Sequence, residues 1–411
     1  MTTSSGDPRS LLAQLIDPAH RADPYPVYRK IRELGPVSMP ENNLTLFSSF
    51  VHCEEVLRHP SASSDRIKST VGQRMIFGPP SFLFLDPPDH TRLRRLVNKA
   101  FVPKVVKALE PDIAALVDGL LRDAESTSEP FEAISGLAYP LPVAVICRLL
   151  GVPLADEPEF SAASALLAQS LDPFISATGI SVAGAADGGF EKRQQAGLWL
   201  RDYLRELIAR RRRDPGDDLM SGLIHVEESG DHLTEEEIVA TCNLLLIAGH
   251  ETTVGLISNA ILALLRDPEQ WAKLAADPAR ASAVIEETLR YDPPVQLLRR
   301  IAGADMAIES LTIPKGDNML LLLAAAHRDP DAFDNPDRFD PDRATTRHLA
   351  FGKGPHFCVG APLARLEATV ALTALTARFP HAALADIPTY KENVTLRGMS
   401  SLPIALSGPR S

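Results

Sequence analysis

Cys358 lies in the run FGKGPHFCVG, which ends at Gly360. Gly352, Gly354 and Gly360 are expected to turn the backbone through positive φ and to let it approach a flat partner closely. Phe351 and Phe357 give the sulfur apolar cover, and His356 adds a basic side chain beside it. Such a loop suits a thiolate presented to a metal. Zinc fits badly, because no second Cys or closely spaced His completes a tetrahedral set. A haem iron fits better, since an anionic sulfur in a sheltered, hydrogen-bonded loop pushes electron density onto iron and favours O–O cleavage.

A second group of reactive side chains sits inside an apolar helix. Thr234 and Glu237 form a capping box, and Glu235 and Glu236 add negative charge at the positive end of the helix dipole. The helix predicted over 234–266 is apolar nearly all round and so belongs in the core, yet Gly249, His250, Glu251, Thr252 and Thr253 interrupt it. Gly249 weakens a helix by roughly 1 kcal/mol relative to Ala, and Thr252 can bond back to a carbonyl one turn earlier. A local opening there is cheap, and an opened turn can accept a ligand or water. His250 reads as a packing or structural residue, not a metal ligand.

Two charged pairs share helix faces. Glu287 and Arg290 stand at i, i+3 before Tyr291, Pro293 and Pro294, and His90 and Arg94 stand at i, i+4 behind Pro87 and Pro88. A protein that buries haem must supply cations or donors to its two propionate carboxylates.

The order Phe351, Gly352, Gly354, His356, Cys358, Gly360 resembles the haem-binding signature of cytochrome P-450 monooxygenases, and the run from Ala248 to Thr253 resembles their oxygen-activating stretch. The resemblance extends over roughly residues 23–406. It implies one mainly α domain with a small β region over residues 1–411, residues 1–22 forming a flexible tail, and haem b (iron protoporphyrin IX) between the long helix and the Cys358 loop. Cys358 would be the axial ligand. Ala248, Gly249, Phe351 and Gly360 would line the haem, with His90, Arg94, Arg300 and His356 on its propionates. Glu251 and Thr252 would be the catalytic pair that delivers protons, and Glu287, Arg290 and Arg343 a structural charged triad.

The same resemblance implies O2 and a lipophilic substrate, of fatty acyl, terpenoid, steroid or polyketide class, with hydroxylation the default reaction. Pocket walls are expected at 70–85, at a lid over 167–185, at Leu244, Leu245 and Ala248, at 295–298 and at 399–402. Electrons would come from a ferredoxin or flavodoxin with its reductase, steered by Arg92, Arg95, Lys99, Lys353 and Arg365. The chain departs from the family pattern at Ser310, where a turn usually carries glycine.

These residues need a large scaffold, and composition allows one. Hydrophobic residues make up 45% of the 411, enough for a sizeable core. A net charge of −11 argues against a nucleic-acid partner. The four cysteines are scattered without a CxxC pair, which suits a reducing, cytoplasmic compartment. The start of the chain lacks the features of a signal peptide, and Asp7, Pro8 and Asp17 are expected to interrupt any helix there. The longest apolar run, 319–326, falls short of the roughly 20 residues that span a bilayer, so no membrane anchor is expected. A monomer is expected.

Helical patterns cover 111–125, 198–213, 234–266 and 278–291. Strand patterns cover 306–313 and 318–323. The stretch 172–189, rich in Gly, Ala and Ser, reads as a mobile connection able to act as a lid.

Overall fold

Asp7 and Pro8 start a helix where they were expected to break one. The computed structural model describes residues 6–70, 80–101, 103–125, 130–168, 173–180, 188–228 and 230–407. In α1 (Pro8–Ile16) the Asp7 carboxylate accepts the Ser10 N–H at 3.0 Å, and Pro8 takes the first turn, where its missing N–H costs nothing. Leu11, Leu12 and Leu15 are buried in one cluster with Tyr28, Ile31 and Leu320. The flexible tail predicted for residues 1–22 is therefore corrected over α1, which is part of the core.

A five-stranded sheet lies beside this helix. Its members are β1 (Val37–Met39), β2 (Leu44–Phe47), β3 (Ala62–Ser63), β4 (Leu298–Ala302) and β5 (Asn318–Leu321), in the order β1-β2-β5-β4-β3. The central β5 runs parallel to β2 and antiparallel to β4 and is buried throughout, which explains its continuous apolar sequence. Arg300 pairs with Met319 in this register, so it sits within a strand. The single strand expected over 306–313 is a hairpin of Met306–Ile308 and Leu311–Ile313. Its left-handed residue is Glu309, at φ 50°, so Ser310 can replace glycine without strain.

Most of the chain is helical. The helices that matter for the site are α2 (Asp89–Ala100), α3 (Glu235–Arg266), α4 (Ala281–Tyr291) and α5 (Ala361–Arg378). The capping box of α3 forms as predicted, with Glu237 N–H to Thr234 Oγ1 at 3.3 Å and Thr234 N–H to Glu237 Oε2 at 2.8 Å. From Thr253 to Leu265 every residue of α3 is buried, and α4 and α5 pack against it. Among the described residues α3 is the one helix long and apolar enough to cross a membrane, and 78% of that apolar stretch is buried inside the protein.

Parts of the expected pocket walls, 71–79, 169–172 and 181–187, lie outside the described residues. Between the last two, Pro173–Thr178 is a short helix whose Phe174 is fully buried with Leu11 and Leu15. This piece of the expected mobile connection is anchored. Burial of one aromatic ring, worth roughly 1.5–3 kcal/mol, outweighs the low local propensity.

Candidate active site

The Cys358 loop is shaped by two of its glycines. Gly352 and Gly354 stand at φ 70° and 68°, and a Cβ on Gly354 would come within 2.8 Å of the Leu57 carbonyl oxygen. Gly360 differs from the expectation: at φ −81° it needs no glycine freedom, and it caps α5. What it offers is a backbone N–H. The Cys358 N–H donates to the Phe351 carbonyl at 2.9 Å and closes the loop. Burial pushes the Cys358 thiol up, while the N–H groups of Gly360 and Ala361 and the guanidiniums of Arg94 and Arg365 pull it down. The sulfur thus sits at a helix N-terminus with donors already aimed at a thiolate.

Beside the sulfur is a group of cationic and basic side chains with too little negative charge. Arg94 donates to the Phe357 carbonyl at 2.6 Å and ties α2 to the loop. His90 is buried, neither of its ring nitrogens has a hydrogen-bond partner among the described residues, and its ring lies 4.1 Å from that of His356. Burial, then Arg300 and His90, push His356 down to about 3. Arg300 is pushed down to about 10 by burial; its guanidinium donates to the Arg299 carbonyl at 2.9 Å, and no carboxylate pairs with it among the described residues. Buried unpaired cations are costly, and a ligand with two carboxylates would relieve this cost.

No cluster of three or more His, Cys, Asp or Glu side chains able to hold a bare metal ion occurs among the described residues. A metal bound at Cys358 must therefore arrive with its own chelate. A flat tetrapyrrole bearing two propionates fits both the lone sulfur and the orphaned cations.

On α3 the helix stays unbroken through the polar run, so the expected opening is not formed. The Thr252 hydroxyl donates to the Ala248 carbonyl at 2.7 Å, and Thr253 donates to Gly249 at 2.8 Å. These back-bonds spend the hydroxyls on the helix itself. Gly249 is nonetheless exposed, and Ala248, Glu251 and Thr252 are half-exposed, on a helix otherwise buried on both sides of them. A Cβ on Gly249 would meet only the Ile146 Cδ1 at 3.7 Å, an ordinary contact. His250 is buried edge-on against Tyr139 at 4.8 Å, and burial lowers its pKa, in keeping with a packing role.

Glu251 is held by a residue the sequence did not single out. Lys391 Nζ donates to Glu251 Oε2 at 2.7 Å, across 140 positions of chain. No motif surrounds Lys391, so only the fold reveals it. The expected basic patch is also changed in three places: Arg92 is taken up by Asp231 and Glu237, Arg95 stands 3.8 Å from Asp231, and Arg365 forms a two-pronged pair with Glu286 at 2.5 and 2.9 Å. Despite burial, hydrogen bonds from His348 and Arg365 hold the Glu286 carboxyl down at about 2.

The Glu287, Arg290 and Arg343 side chains meet as expected, apart from the Cys358 loop. Glu287 receives Arg290 at 2.7 and 2.8 Å, Arg343 at 3.0 Å and the Asp340 N–H at 2.8 Å. Arg290 also donates to the carbonyls of His327, Pro336 and Arg338, so the triad fastens the 327–343 segment to α4.

Comparison with known proteins agrees with this geometry. A family model described as cytochrome P450 matches residues 36–402. The chain is 40% identical to the vitamin D(3) 25-hydroxylase of Pseudonocardia autotrophica over 95% of each sequence. It superposes on ligand-free CYP164A2 of Mycobacterium smegmatis with a TM-score of 0.90 at 67% identity, covering 97% of this chain and 100% of that one. The same protein with econazole bound gives a TM-score of 0.89, 64% identity and coverage of 97% and 100%. A single half-exposed thiol at a helix start, set beside orphaned cations and facing relatives of this kind, places the chain in the cytochrome P450 family of monooxygenases.

Proposed function

We propose that Cys358 is the thiolate ligand of a haem b iron, and that the chain inserts one oxygen atom from O2 into a lipophilic small molecule, most simply by hydroxylation. Membership of the family implies haem with cysteine ligation. The observation that carries the assignment to these residues is the basic group beside one sulfur, with His90 and Arg300 buried and Arg94 and His356 half-buried. Haem bound there supplies the iron at which O2 is reduced and split.

The chain's own residues do the rest. Gly360 and Ala361 N–H groups hold charge on the sulfur, and the four basic residues would hold the propionates. Phe351 and Gly360 would line the sulfur side, with Ala248 and Gly249 opposite, where the missing side chain leaves room. Glu251 exchanges protons with solvent, and the Thr252 hydroxyl, released from the Ala248 carbonyl, donates a hydrogen bond towards the oxygen side. This transfer needs both side chains to leave their resting partners.

A lipophilic substrate is supported by the apolar Leu244 and Leu245 on α3 and by relatives named for vitamin D3 and for bound econazole. Its burial would contribute roughly 25 cal/mol per Å². A ferredoxin or flavodoxin donor would meet the sulfur side through Arg95, Lys99 and Lys353. The test is the carbon monoxide difference spectrum of the reduced holoprotein. Wild type should show the red-shifted band of thiolate ligation, and an unchanged band in Cys358→Ser would overturn the assignment. Product formed with reductase, ferredoxin and O2 but not with peroxide supports the monooxygenase reading over a peroxide-driven one.

A further inference from the structure

Lys391 has two neighbourhoods. Its ammonium holds Glu251 at 2.7 Å, and its side chain, 32% exposed, also lines a cavity of about 80 Å³ between α1 and the 390–398 segment. That volume holds about six water-sized groups, at roughly 10–15 Å³ each. Leu15, Ile16, Tyr28, Phe174 and Val394 make its walls largely apolar. The other cations at its edge are committed: Arg397 to Asp292 at 2.7 Å, and Arg21 to Glu392 at 3.0 Å. Gln296 also lines the cavity; it is 1% exposed, its amide nitrogen is fixed on the Pro293 carbonyl at 2.6 Å, and its Oε1 has no partner among the described residues. A bound water or a ligand hydroxyl would satisfy that oxygen.

We propose that this cavity binds a small amphiphilic carboxylate, whose chain lies on the apolar walls and whose charge competes with Glu251 for Lys391. The ammonium already holds Glu251 at 2.7 Å, and a second carboxylate drawn to the same charge repels the first. Binding of the ligand therefore loosens Glu251, and Glu251 opposes binding of the ligand, by the same factor. A phosphate fits less well, since its second charge needs a second cation and Arg21 is already paired. The site itself is independent of the haem reading. Only its consequence, that a ligand outside the haem pocket releases the proton carrier, rests on the role of Glu251 proposed above.

Calorimetric titration of the holoprotein with hexanoate, hexanamide and acetate tests this, with the Soret band recorded in parallel. Hexanoate should bind more tightly than the other two, and without shifting the Soret band. Glu251→Gln should tighten hexanoate about fivefold or more, the usual scale of such coupling. Lys391→Gln should abolish the preference for hexanoate over hexanamide, and Ile16→Trp, which fills the cavity at its half-buried rim, should abolish binding. Equal binding of hexanoate and hexanamide in wild type, or a preference that survives Lys391→Gln, overturns the proposal. Hexanoate heat that comes only with a Soret shift also overturns it, because the ligand is then at the haem. A normal carbon monoxide spectrum alongside any of these results leaves the haem assignment standing.

Discussion

Arg343 Nε donates to Glu287 Oε1 at 3.0 Å, across 56 positions of sequence, in a site where the Glu287 side chain is fully buried and Arg343 nearly so. Arg290 supplies the second guanidinium, also fully buried. Removing one member leaves an uncompensated buried charge, which costs about 3–5 kcal/mol. Glu287→Gln and Arg343→Ala should each lower the melting temperature sharply and cause haem to be lost on purification. Arg343→Lys keeps the charge but not the fork that reaches Asp334, Asn335 and Arg338, so it should fall between wild type and Arg343→Ala. Melting curves that match wild type for Arg343→Ala would remove the triad from the account of stability.

Thr252 presents a different balance. Its hydroxyl rests on the Ala248 carbonyl, so Thr252→Val leaves the helix bond pattern of α3 unchanged and removes only the hydroxyl. Reductant and O2 should still be consumed, but product per reductant should fall sharply, since a positioned proton donor is worth roughly 10²-fold or more. Thr252→Ser should restore most of the yield. If the yield of Thr252→Val equals that of wild type, the hydroxyl is a helix bond and nothing more.

Why some of this was legible in sequence and some was not follows from the range of each interaction. The α3 start was readable because Thr234 and Glu237 are three residues apart and bond to each other's backbone. The ends of the triad and the sulfur loop were readable from motifs whose residue types match their chemistry. Residues 8–16 misled because Asp and Pro serve equally as helix breakers and as the first residues of a helix, and burial of Leu11, Leu12 and Leu15 decides between them. Lys391 could not be read at all. Its partner lies 140 positions away, and a lone lysine after a short strand has no local signature. Arg92 and Arg365 looked like surface charges because Glu237 and Glu286, which bind them, come from distant helices.

Arg300 separates binding of haem from stability of the protein. Without propionates it is a buried cation whose charge acts on His356, and burial pushes it down to about 10 although the charge of Asp86 pulls the other way. Arg300→Leu should therefore leave the apoprotein as stable as wild type or more so, since it removes a buried charge that has only the field of Asp86 and no paired carboxylate among the described residues. The holoprotein should respond in the opposite direction, losing haem to a scavenger such as apomyoglobin about tenfold faster or more, because one charge-assisted bond to a propionate is gone. A variant destabilised in the apo form and unchanged in haem loss would show that Arg300 holds the sheet and not the cofactor.

Glu367 makes stability depend on pH in a direction opposite to most carboxylates. It lies on the buried face of α5, 3% exposed, with Oε2 unpartnered among the described residues, and burial pushes it up from 4.5 to about 8. Between those pH values the folded protein keeps a proton that the unfolded chain has released. The contribution to stability is fully present below about 4.5 and is lost as pH rises through 8, with a slope of at most about 1.4 kcal/mol per pH unit. Glu367→Gln keeps the shape and the neutral charge at every pH, so it should flatten this slope and make the protein more stable than wild type at pH 8. Denaturant unfolding of both proteins at pH 5.5, 7 and 8.5 measures it. Parallel curves for wild type and Glu367→Gln would mean that the carboxyl is ionised in the fold and has found a cation or water among its neighbours.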